Sequence, residues 1–145
     1  MAELASIITK IIFLMILIRI AFLDLRNQRI YNRDIMIIVW LSLIGMYTIP
    51  EIPVLSKLTG VIGISIPMLL IAIIRRGAFG GGDIKLMAAG GLFLGWEKIL
   101  SAVVLAVFSA GIYCCYLLFV KKAGRKAVFP LGPFLCFGMA MALVM

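Results

Sequence analysis

Residues 99–120, ILSAVVLAVFSAGIYCCYLLFV, contain no charged side chain. A helix of that length reaches about 30 Å, the thickness of a bilayer's hydrocarbon core. In lipid the backbone must satisfy its own hydrogen bonds, and a helix does so within one segment. The rest of the 145-residue chain has the same character: 65% hydrophobic, 14% charged, mean hydropathy +1.23. Soluble domains carry roughly 45–50% apolar and about 25% charged residues. In water this chain would expose most of its apolar surface, which excludes a soluble globule. The length fits a single membrane-embedded domain over residues 1–145, without an appended soluble module.

Outward from 99–120, apolar runs at 4–23, 35–50, 58–74, 84–96 and 127–145 complete an expected all-α bundle of about six transmembrane helices. The first run is too long, and too poor in small residues at its end, for a removable signal peptide. It carries Lys10 and Arg19, which must snorkel or face the bundle interior. The fourth has an uncharged part of only about 17 Å as a helix, so its neighbours must shelter it. Gly91 with Gly95, and Ala106 with Ala110, have the small-residue spacing that lets helices approach closely.

A net charge of +8 and a pI of 9.8 raise the question of nucleic acid. The basic residues instead cluster between apolar runs: Arg26, Arg29 and Arg33; Arg75, Arg76 and Lys85; Lys121, Lys122, Arg125 and Lys126. That is the pattern of loops beside anionic lipid, not of a continuous basic face, so no nucleic-acid partner is expected. The clusters follow spans one, three and five and therefore share one side, which the positive-inside rule makes the cytoplasm. The chain has no His, and Cys114, Cys115 and Cys136 lie in apolar runs without a CxxC pair. Neither a thiolate metal cage nor a Cys–His nucleophile is expected, and no cofactor is called for.

The topology sorts the six acids. Glu3, Glu51 and Glu97 fall on the outer side, and Asp24, Asp34 and Asp83 on the cytoplasmic side. Asp34, just before an apolar run, suits a helix N-cap. Asp24 ends span one and Asp83 opens span four, at one depth and face. Two adjacent carboxylates cannot both ionise easily, so they hold one proton between them. One can then take a proton from water while the other hydrogen-bonds a scissile carbonyl. Gly80, Gly81 and Gly82 before Asp83 would let an extended chain lie against the backbone. The same segment would also suit a flexible turn with Asp83 as a cap. Lys85 points about 200° around the helix from Asp83 and is left to lipid phosphate, substrate or membrane anchoring.

Gly80-Gly81-Gly82-Asp83-Ile84-Lys85-Leu86 with the Gly-rich helix after it, Asp24-Leu25-Arg26 through Ile30-Tyr31-Asn32, and Pro130-Leu131-Gly132-Pro133-Phe134-Leu135 together resemble the type IV prepilin peptidases, which are GxGD membrane aspartyl proteases. The resemblance implies Asp24 and Asp83 as the catalytic pair, with the Gly80–Gly82 backbone shaping the site and Lys85 and Arg26 as possible contributors. It implies prepilin or pseudopilin substrates, cut behind a short basic leader at the cytoplasmic face of the cell inner membrane. Tyr31 stands where the family often has Pro. Paired CxxC motifs, which accompany N-methylation in the long bacterial forms, are absent from this sequence, so a short, peptidase-only form is expected. The alternatives are an inactive membrane scaffold of a pilus or secretion assembly and a small proton or ion pathway. The pathway reading is weakened because both aspartates lie at one edge rather than at mid-bilayer.

Overall fold

The computed structural model describes residues 1–75, 79–120 and 130–145. Among these the chain forms five helices and no strand: α1 (Ala2–Asn27), α2 (Asn32–Thr48), α3 (Val54–Ile74), α4 (Gly81–Phe119) and α5 (Gly132–Val144). Three of them, at Glu3–Asn27, Val54–Ile74 and Gly81–Phe119, are long and apolar enough to cross a membrane, and α5 is a shorter apolar helix. Large apolar side chains such as Met15, Phe22, Trp40, Leu55 and Phe108 are exposed, as suits a surface solvated by lipid.

The expected count of six becomes five because the fourth and fifth spans run on as one helix, α4, broken at Gly95 (φ 77°, ψ 174°). The limbs 81–94 and 96–119 fold back on each other. Gly90 packs beside Ile99, whereas nine residues of straight helix would set them about 13 Å apart. The break frees the Trp96 N–H, which donates to Ser56 Oγ at 3.0 Å. The limb 81–94 is the short one, and its neighbours do shelter it: Leu86, Met87, Ala89, Phe93 and Leu94 are all buried.

Small residues set the closest approaches. Gly60 of α3 and Gly91 of α4 touch backbone to backbone, and Gly138 of α5 lies on Ala102 and Ala106. Gly91 and Ala106 thus pack helices as their spacing suggests, while Gly95 makes the turn. Phe13 of α1 stacks on Phe93 with ring centroids 4.0 Å apart.

Asp34 does not cap α2. The N-cap is Tyr31, with no side-chain capping bond, and Asp34 lies in the first turn, 2% exposed. Its Oδ1 is 3.5 Å from an Arg19 guanidinium. Arg19, its side chain 60% exposed, thus pairs from the surface with a buried acid and joins α1 to α2. Lys57 of α3 is 1% exposed, and its Nζ donates to Gly45 O in the last turn of α2 at 3.2 Å, a favourable place for a cation.

The described basic residues Arg29, Arg33, Arg75 and Lys85 lie in or beside the connections at one end of the bundle, where α1 and α3 finish and α2, α4 and α5 begin. Arg76, Lys121, Lys122, Arg125 and Lys126, and the first residues of the expected 127–145 span, lie outside the described residues.

Candidate active site

The end of α1 carries Asp24 and the start of α4 carries Asp83. Between them opens a cavity of about 460 Å³, lined by both aspartates and by Gly80, Gly81 and Gly82, with the 28–32 segment forming the remaining wall. The two carboxylates are close enough for their charges to interact. Asp24 is 5% exposed, and Asp83 is half-buried.

Each carboxylate is held by backbone at a helix start. Gly80 N–H donates to Asp83 Oδ2 at 3.3 Å, a capping arrangement in the first turn of α4. Asp83 thus both caps its helix and faces the cavity. The Gly132 N–H, at the first turn of α5, is directed at the Asp24 carboxylate. The packing is so close that a Cβ on Gly132 would collide with Oδ2. Helix N-termini favour anions through their free N–H groups and aligned peptide dipoles.

The 28–32 wall follows from the end of α1. Gln28 adopts a left-handed conformation (φ 50°, ψ 35°), and its N–H returns to Asp24 O. Such a C-cap ends a helix and redirects the chain, though at a cost for a residue with a Cβ. The turn lays Ile30 on Gly82, where a Cβ would come within 2.9 Å of Ile30 Cβ. Gly82 is therefore glycine for room against this wall, whereas a Cβ on Gly81 would meet nothing within 4 Å.

The structure brings together Asp24, Asp83, Gly80, Gly81 and Gly82. Lys85 is exposed and does not line the cavity; its Nζ donates to Asn32 Oδ1 at 3.3 Å. Arg26 is exposed and lies outside the cavity lining. The sequence reading missed two contributors, Asn32 and Gly132. Both stand inside motifs quoted above, and only their contacts give them a place at the site. Beside Asp24, an apolar groove of about 360 Å³ runs between α1 and α5, with Leu25 and Pro133 at the cavity end.

The chain is a helical, multi-pass membrane protein with two aspartates on different helices facing one cavity. Residues 11–115 match the Type IV leader peptidase family, and the chain belongs to it. It is 26% identical over 133 residues to a prepilin leader peptidase/N-methyltransferase of Legionella pneumophila, covering 88% of this chain and 46% of that protein. It is 27% identical over 135 residues to a protein of the same name from Bacillus subtilis (strain 168), covering 91% of this chain and 53% of that one. The chain thus spans about half the length of these relatives. No solved structure matches it.

Proposed function

We propose that the chain is an aspartic endopeptidase that removes the short basic leader of type IV prepilins or pseudopilins at the cytoplasmic face of the inner membrane. The observation that carries this reading is the meeting of Asp24 and Asp83, from α1 and α4, in one glycine-walled cavity. One carboxylate takes a proton from a water molecule as its oxygen attacks the scissile carbonyl carbon, while the protonated partner hydrogen-bonds the carbonyl oxygen. The tetrahedral intermediate collapses, the C–N bond breaks, and the leaving nitrogen receives a proton from the pair. The Gly80–Gly82 backbone offers an extended peptide close access. The groove between α1 and α5 suits the hydrophobic stem behind the cleavage point, and the basic connections at this end support a cytoplasmic orientation. The names of the relatives favour prepilin substrates.

The test is co-expression with pilin-like candidates, reading each mature N-terminus by mass spectrometry. Asp24→Asn and Asp83→Asn keep the shape and remove the shareable proton. Each is expected to lower cleavage by on the order of a thousandfold or more, with normal expression. Cleavage that survives either change would dismiss the dyad. No cleavage by the wild-type chain would favour an inactive scaffold. We assign peptide hydrolysis and not methyl transfer to these residues: with labelled S-adenosylmethionine and cleaved pilin, the new N-terminus is expected to stay unmethylated.

A further inference from the structure

Asn32 opens α2 and lines the cavity with Asp24 and Asp83. Lys85, two residues beyond Asp83 on α4, reaches across to Asn32 Oδ1 at 3.3 Å. An ammonium has three N–H donors and no acceptor, so it can engage only the oxygen of a carboxamide. The contact therefore sets the amide's orientation, with Oδ1 toward Lys85 and the two N–H bonds of Nδ2 turned away from it. Among the described residues Nδ2 has no hydrogen-bond partner, while nearby Asn27 Nδ2 is donating to the Tyr31 hydroxyl at 3.2 Å.

A lysine placed directly against two carboxylates would favour the charged form of both and remove the proton they share. A neutral amide avoids this. Lys85 on its oxygen polarises the N–H bonds at the other end, so the amide donates strongly while the positive charge stays outside the cavity.

We propose that Lys85 is a positioning residue for Asn32, and that Asn32 Nδ2 donates to a backbone carbonyl of an extended peptide lying across the two aspartates. This rests on the peptidase reading above. Asn32 touches the substrate, and Lys85 acts through it.

The experiment uses the full chain in nanodiscs with a prepilin that the wild type cleaves in co-expression. Lys85→Met keeps the apolar stem and removes the donor, and is expected to lower kcat/KM about tenfold, the worth of one charge-assisted hydrogen bond. Lys85→Arg, which restores a donor, should recover activity to within a few-fold of wild type. In an Asn32→Ala background Lys85→Met should cost nothing further, because the residue through which it acts is gone. An equal loss with and without Asn32, or none in the single variant, overturns the proposal. A second arm measures affinity of the intact prepilin for the inert Asp24→Asn, Asp83→Asn chain. There Lys85→Met should weaken binding about tenfold when Asn32 is present and not when it is absent. If the wild type binds a prepilin but cleaves none, the peptidase reading falls, while this arm, run with the prepilin that binds, still decides whether Lys85 acts through Asn32. Unchanged affinity would then overturn the positioning role.

Discussion

Gly132 supplies no side chain to the cavity, yet its N–H is directed at the Asp24 carboxylate and its bare Cα lets that carboxylate in. Gly132→Ala would drive a methyl group into Oδ2. The variant is expected to express normally and to lose about tenfold to a hundredfold in kcat, because Asp24 must move away from both the N–H and its partner. Cleavage assays beside a thermal melt would separate that loss from unfolding. That the two aspartates share one end of the bundle was legible in the sequence, because each bounds an apolar run and two complete spans separate them. Gly132 was not, since a backbone N–H leaves no mark in the composition. Asp34 shows the opposite failure. Its position before an apolar run suited a cap, and only the three-dimensional return of Arg19, more than a dozen residues earlier, shows the ion pair that keeps it buried. Arg19→Gln should therefore destabilise the α1–α2 contact by about 1–3 kcal/mol through an unpaired buried acid, seen as a lower Tm in detergent.

Gly95 sits in a backbone region that is open essentially to glycine alone, with φ 77° and ψ 174°. Any side chain there would also press on Ile52 and Ser56. Gly95→Ala is expected to cost at least about 1–3 kcal/mol and to lower the midpoint of a thermal melt. Because the site lies at the other end of the limb, residual folded protein should keep its KM. Helical character, the apolar runs and the small-residue contact at Gly91 were readable from periodicity and hydropathy. The join between the expected fourth and fifth spans was not. Glu97 and Lys98 pointed to an ordinary charged loop, whereas the chain reverses at Gly95 and is helical on both sides of it. Lys98 even turns back to the end of α5, donating to Leu143 O at 3.5 Å. The position of the reversal depends on Ser56 taking the freed Trp96 N–H, a tertiary contact that hydropathy cannot reveal.

For the molecule as a whole, helix direction places Asp24, Asp83 and the described basic connections at one end, and Glu51 at the other. If that basic end is cytoplasmic, a membrane-impermeant maleimide should label Arg29→Cys only from the cytoplasmic side and Glu51→Cys only from the opposite side. The background would be Cys114→Ser, Cys115→Ser and Cys136→Ala. The reverse labelling would turn the protein over in the membrane and leave a cytoplasmic leader out of reach. The contact between α1 and α5 at Asp24 also bears on how the protein comes into being. Asp24 lies on α1, but the glycine packed against its carboxylate comes from α5, after α1 to α4 have been synthesised. A growing chain therefore carries Asp24 without that neighbour until α5 emerges. On the proposed peptidase reading, the pair would be complete only once α5 inserts, and a half-made chain would have no working blade to turn on its neighbours.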